Sequence, residues 1–206
     1  MVAVVLLLVA AGCLAVSLRD RQEPLADPAA GSFGSSAVTG GAAAVPPRAV
    51  RPVVARSAPV ALRIPAIGVV VSVSALGLNP DGTVQVPTDF DEPGWFRLGP
   101  SPGQVGSAVI LGHVDSYQGP AVFFRLRSLR AGDRVEVSLA DGMVAHFVVS
   151  TVAMYPKEQF PARLVYGSHG YSALQLVTCG GTFDTHTRSY RSNIVAYTHL
   201  VATTPA

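Results

Sequence analysis

Residues Arg134-Val135-Glu136-Val137-Ser138-Leu139-Ala140-Asp141-Gly142-Met143-Val144-Ala145-His146-Phe147-Val148-Val149 decide the fold class. Two β-prone runs, 134–140 and 143–154, flank the dipeptide Asp141-Gly142. Asp-Gly tolerates the positive φ that a tight two-residue turn demands, so it predicts a β-hairpin here. The same grammar continues on both sides. Further β-prone runs occupy 60–64, 69–76, 83–87, 106–112, 173–178 and 193–201, punctuated by Asn79-Pro80-Asp81-Gly82, Pro100-Ser101-Pro102-Gly103 and Ala131-Gly132-Asp133. Helical pattern is confined to short turns at 121–129 and 158–166. About eight short strands in about 145 residues predict an all-β closed barrel or sandwich. A segment of that length buries enough surface to fold alone.

The remainder of the chain differs in kind. Over all 206 residues, 49% are hydrophobic and 14% charged, but the apolar excess is concentrated at the start. Residues 1–18 carry no charge, and an 18-residue helix spans about 27 Å, close to the hydrocarbon core of a bilayer. A cleaved signal peptide, a lipoprotein signal and an uncleaved anchor are the three readings. The apolar run is longer than a signal peptide usually needs, and Ala10 stands where a lipoprotein box places a large aliphatic. The uncleaved transmembrane anchor is therefore preferred. Arg19 and Arg21, with Asp20 and Glu23 beside them, leave its orientation open. Residues 19–59 read as a linker: 24 of the 36 residues from 24 to 59 are Ala, Pro, Gly or Ser. The strand-rich domain takes 60–202. Across the whole chain the basic residues are scattered, all but Lys157 being arginine, and the net charge is only +2, which excludes a nucleic-acid binder.

Two cysteines, Cys13 and Cys179, are too few for a disulfide framework and lack metal-ligand spacing. Cys179 ends the run Ala173-Leu174-Gln175-Leu176-Val177-Thr178 and precedes Gly180-Gly181, which predicts a thiol at a strand end with little steric cover. The alternative is a small buried hydrophobe. His113 closes a second strand, Ser107-Ala108-Val109-Ile110-Leu111-Gly112. A thiol titrates near ~8.5 and needs a neighbouring imidazolium to react at neutral pH; the alternative is a turn histidine bonded to backbone. Arg188 and Arg191 precede the last strand, where a guanidinium could donate to an oxyanion or simply face solvent. The combination is more specific than any member.

Gly112-His113-Val114-Asp115, Leu176-Val177-Thr178-Cys179 and Arg191-Ser192-Asn193-Ile194-Val195 resemble the three catalytic segments of sortases, the cysteine transpeptidases of Gram-positive surfaces. Leu62-Arg63-Ile64-Pro65-Ala66-Ile67-Gly68-Val69 is similar to their opening strand. The resemblance spans about 60–202, and Thr178-Cys179-Gly180-Gly181-Thr182-Phe183-Asp184 looks most like the actinobacterial class F group. The family's Thr-Leu-X-Thr-Cys pattern is met except at its first position, here Gln175.

The resemblance implies an eight-stranded β-barrel. It implies Cys179 as nucleophile on the Thr–Gly carbonyl of a Leu-Pro-X-Thr-Gly-like signal, and His113 as the group that protonates the departing amine and later deprotonates the incoming one. It implies Arg191, or Arg188 as the alternative, as the oxyanion-stabilising arginine, with Thr178 as a substrate-binding residue and Gly112 as a shaping one. The expected partners are secreted proteins carrying that signal, a cell-wall or pilin amine and the membrane, with the domain on the extracellular face. No cofactor or metal is expected. Cys and His titrating together predict slow turnover and a bell-shaped pH profile. Asp91, Asp115 and Asp184 read as turn residues that could also orient the histidine or bind a cation. Ser168-His169-Gly170 resembles part of an L,D-transpeptidase motif, but Tyr171 stands where that chemistry needs Cys. A zinc site joining Cys179 to His113, His169 or His186 is disfavoured by spacing. Two rival functions stand beside transpeptidation: an inactive, surface-tethered binding barrel, and a thiol hydrolase sharing the same acyl-enzyme.

Overall fold

A computed structural model describes residues 55–206. The expected anchor and all but the last five residues of the expected linker lie outside the described residues. Among the described residues no helix is long and apolar enough to cross a membrane.

The Asp141-Gly142 signal makes the hairpin it predicts. β8 (Arg134–Leu139) and β9 (Met143–Pro156) pair antiparallel with Val137 opposite Ala145. Gly142 sits at φ +80, and its N–H donates to Leu139 O at 3.1 Å. Asp141 caps the turn by accepting from Met143 N. Alternation then selects the faces: Val135, Val137 and Leu139 are buried, and the residues between them are not.

The other strands are β1 (Pro59–Ile64), β2 (Val69–Ser72), β3 (Ser74–Leu76), β4 (Gly94–Phe96), β5 (Gly106–Leu111), β6 (Asp115–Ser116), β7 (Gly119–Pro120), β10 (Ser172–Asp184) and β11 (Ser189–Pro205). Nine of them form one sheet in the order β2-β1-β8-β9-β11-β10-β5-β4-β3, while β6 and β7 make a small separate hairpin. Only β10–β5 and β3–β4 are parallel. The order itself requires curvature. β2 and β3 stand at opposite ends of the sheet yet are separated in sequence by Val73 alone, whose N–H still bonds Val60 O on β1. One residue cannot span an open sheet, because neighbouring strands are about 4.8 Å apart. The sheet therefore curls until its ends meet, as a nearly closed barrel.

The barrel fills with alternate residues: Phe123, Phe147, Ile110, Leu174, Leu176 and Ile194 are all buried in one cluster. Fully burying each such side chain contributes roughly 1.5–3 kcal/mol. A second cluster covers the outer face at β5, β10 and β11, where α1 (Ala162–Tyr166) lays Val165 over Val109, Val177 and Val195. Both ends of the described chain converge on the 140–142 turn: Ala140 N donates to Ala58 O, and Ala206 N to Gly142 O.

Several expectations need correction. The sheet has nine strands where eight were expected. The run 69–76 is two strands, divided at Val73 so that each half pairs at its own end of the sheet. The run 83–87 forms no strand beyond a single bridge of Val84 to Leu78, because Gln85 binds Gly77 through its side chain as well as its backbone. The 121–129 turn contributes only a 3-10 turn, Leu126–Ser128, and 158–166 gives Lys157–Gln159 as 3-10 followed by α1. β10 does not stop at Cys179. It continues to Asp184 after a bulge between Gly180 and Phe183, because Phe183 and Asp184 recover pairing with Tyr190 and Ser189.

Gln175 is the misfit in this core. It is 2% exposed, its Oε1 has no partner among the described residues, and its Nε2 reaches Ser107 Oγ only at 3.5 Å. An unmatched buried amide oxygen costs more than so long a bond returns. Gln175→Met, which keeps the volume, is expected to stabilise the fold by about 1 kcal/mol and raise the melting temperature by about 2–4 °C. A lower melting temperature would show that Gln175 has an unseen partner.

Candidate active site

The register of three adjacent strands assembles the site. β5 runs parallel to β10 with Leu111 opposite Val177, and Gly112 N continues the ladder onto Val177 O at 3.0 Å. One step further the register brings His113 level with Cys179. On the other side Cys179 pairs with Asn193 of β11. Faces follow from the two-residue period. Val109, Leu111, Val177, Val195 and Tyr197 all belong to the outer cluster. Steps of two along β10 and β11 therefore put Cys179, Asn193 and Arg191 on that same outer face, and His113 follows two residues after the end of β5.

The segment holding His113 is fixed from three directions. Its carbonyl accepts from Phe123 N at 2.9 Å, its ring lies 4.7 Å from that of Phe90, and Nε2 is 2.8 Å from Pro87 O. A carbonyl can only accept, so Nε2 carries the proton of that bond. Nδ1 is then the ring nitrogen left to exchange a proton with a substrate. No hydrogen bond joins His113 to Cys179 among the described residues. The loop that supplies Pro87 also walls a groove of about 350 Å³ lined by Ser74, Asn79, Gln85 and Thr88 among others.

Gly112 explains why a glycine precedes the histidine. A Cβ there would lie 2.5 Å from Phe123 Cδ2, and Phe123 is fully buried. Gly112→Ala is expected to destabilise the fold by roughly 1–3 kcal/mol and to displace His113. Adding Phe123→Leu should restore part of the loss in a denaturant titration. Full stability in the single variant would contradict this packing.

Cys179 is a half-buried free thiol. Burial pushes it up from the ordinary thiol value; the charge of Lys157 partly offsets this, and that of Asp115 reinforces it. The site thus disfavours the thiolate at rest, with burial the main cause. Lys157 is held at the end of β9 by donating to Ser189 Oγ at 2.6 Å.

The two arginines are separated by the backbone. Arg191 lies within β11, not just before it, and its Nη2 is 3.0 Å from Asp184 Oδ2. The backbone N–H groups of His186 and Thr187, with Arg191 after them, hold the Asp184 carboxyl below the ordinary value. The Arg191 side chain is 69% exposed, and water screens an exposed pair of this kind, so it holds the guanidinium only weakly. The guanidinium can thus leave Asp184 for a substrate at little cost. Arg188 sits in the turn between β10 and β11 at φ +50, bending the chain rather than facing the groove from a strand. Thr178 alternates to the other face from Cys179. It is 3% exposed, and its hydroxyl has no partner among the described residues.

One pairing at the site had no signal in the sequence. Tyr190 O–H donates to Asp115 Oδ2, joining residues 75 positions apart. Among the described residues, no three His, Cys, Asp or Glu side chains converge where a metal could be held.

Cys179 and Arg191 thus lie on neighbouring strands of a nearly closed β-barrel, next to the segment that carries His113. The sortase-domain family profile matches residues 62–201, and the chain belongs to the sortase family, whose members are cysteine transpeptidases. Solved structures agree on the fold. Sortase A of Listeria monocytogenes is 17% identical with a TM-score of 0.55, covering 72% of this chain and 91% of its own. Sortase C-1 of Actinomyces oris is 18% identical with a TM-score of 0.54, covering 69% of this chain and 73% of its own. Sortase C of Streptococcus pneumoniae, described for its pilin substrate specificity, is 18% identical with a TM-score of 0.53 over 71% of this chain and 68% of its own. A comparison with curated proteins yields no match.

Proposed function

We propose that this chain is a class F-like sortase, anchored through residues 1–18, with its barrel on the extracellular face. It cleaves a Leu-Pro-X-Thr-Gly-like signal between Thr and Gly and passes the acyl group to a surface amine on a cell-wall precursor or a pilin. The observation that supports this reading is that Cys179 and Arg191 lie on neighbouring strands β10 and β11, with His113 two residues past the end of β5, which pairs with β10 on its other side. The class F assignment rests on the residues 178–184. The location rests on the uncharged N-terminal run and on the secreted nature of such substrates.

In this reading the Cys179 thiolate attacks the threonine carbonyl carbon, and Arg191 donates hydrogen bonds to the oxyanion. Collapse of the intermediate breaks the C–N bond as His113 delivers its proton to the glycine nitrogen, leaving a thioester. An incoming amine attacks the thioester, gives a proton to His113 and expels the thiolate. Thr178 shapes the strand under the acyl group.

The test is intact-mass analysis of the chain incubated with Leu-Pro-X-Thr-Gly-type peptides, with and without a glycine or diamine acceptor. The expected result is an adduct of the peptide minus its glycine portion, absent in Cys179→Ala and converted to ligated product by amine. Adduct that yields only free acid would assign hydrolysis. No adduct with any peptide would overturn the enzyme reading in favour of a binding barrel.

A further inference from the structure

Tyr190 lies on β11 and Asp115 on β6, two residues after His113. β10, which carries Cys179, runs between β11 and β5. The Tyr190–Asp115 hydrogen bond therefore joins β11 to the segment that follows β5, the strands on either side of β10. Just beyond Cys179, residues 180 and 181 are glycine and β10 bulges. The phenol is braced on one side by Phe183, whose ring meets it edge-on at 5.1 Å. Asp115 is braced by the hairpin it opens, in which Ser116 pairs with Gly119, and by Ala121 N bonding Val114 O.

We propose that the Tyr190–Asp115 bridge is a positioning pair for acyl transfer, clamping the segment that carries His113 to the strand that carries Arg191 across the end of the nucleophile's strand. The proposal rests on the sortase reading. Without the bridge, the two groups that handle the proton and the oxyanion belong to separate elements. With it, their separation is fixed before substrate arrives, and a misplacement of an ångström in such a site can cost about a hundredfold in rate.

The electrostatics agree with the geometry. The charges that act on Cys179 are Asp115, which opposes ionisation of the thiol, and Lys157 at the end of β9, which favours it. His113 follows β5, and Arg191 on β11 is paired with Asp184 of β10. Tyr190 is pushed up to about 12, first by its bond to Asp115 and also by the Cys179 charge, so it remains the donor throughout the working range.

The experiment is a double-mutant cycle with Tyr190→Phe, Asp115→Asn and both together, read in two ways. In peptide transfer, each single variant is expected to lose about tenfold in kcat with KM within about twofold, and the double variant to lose no more than one of them. Losses that multiply in the double variant, or unchanged kcat in both singles, would overturn the clamp. The second reading needs no substrate: the pH dependence of Cys179 alkylation by iodoacetamide. Asp115→Asn is expected to move the inflection to lower pH by removing an opposing charge, whereas Tyr190→Phe, which keeps that charge, shifts it less. Identical inflections in all variants would remove Asp115 from the site. If the unaltered chain cleaves no peptide, the function reading fails, and the alkylation series still decides whether the bridge lies beside the thiol.

Discussion

His113→Ala is expected to lower the rate of thioester formation by about a hundredfold to ten-thousandfold, the range general acid catalysis supplies. The expectation follows from geometry. The register sets His113 beside Cys179, and the Pro87 carbonyl occupies Nε2, so Nδ1 is the nitrogen that can serve the departing amine. His113→Gln sharpens the experiment. A glutamine amide can still donate to a carbonyl, so the Pro87 loop is retained, but it cannot carry a proton between two amines. Equal losses in the alanine and glutamine variants, at unchanged melting temperature, are the expected outcome in single-turnover measurements of acyl-enzyme. A loss below tenfold in both would mean that the histidine only ties the loop to the barrel.

Arg191→Ala should cost about a hundredfold to a thousandfold in kcat, the usual effect of deleting an oxyanion donor. Arg188→Ala should remain within about twofold, because the left-handed turn keeps Arg188 off the strand that borders Cys179. Arg191→Lys retains the charge but loses the two-pronged donor geometry, and is expected to recover only part of the rate. Asp184→Ala supplies the control. It removes the resting partner of Arg191, a solvent-screened pair, and should leave kcat close to its original value. Similar modest losses from both arginine variants would mean that neither stabilises the oxyanion.

Much of this molecule is legible in its sequence, for local reasons. Asp141-Gly142 marks a hairpin because the loop between β8 and β9 needs a left-handed residue, which Gly142 supplies at φ +80. Cys179, His113 and Arg191 stand out because reactive side chains lie next to β-prone runs whose alternation indicates their face. What stays hidden is partnership. Nothing local at Val73 shows that the residues before and after it belong to opposite ends of one sheet. The strand after Cys179 looked finished because Gly180-Gly181 is a turn signal. Pairing with Tyr190 and Ser189 turned it into a bulge instead. Asp115 read as a turn aspartate because its partner lies in the last strand. Arg191 is preferred over Arg188 in the sequence for its closeness to the last strand, and only the structure shows that Arg191 lies within β11 while Arg188 sits in the preceding turn at φ +50.

The convergence of both chain ends on the 140–142 turn has a mechanical consequence. Ala58 and Ala206 are secured at one pole of the barrel, while Arg191 and Asn193 lie at the opposite end of β11 from Pro205. On the proposed attachment through residues 1–18, tension in the tether would enter at Ala58 and pass into the ladder of β1 with β8. The strands that align thiol, imidazole and guanidinium would stay out of that force path.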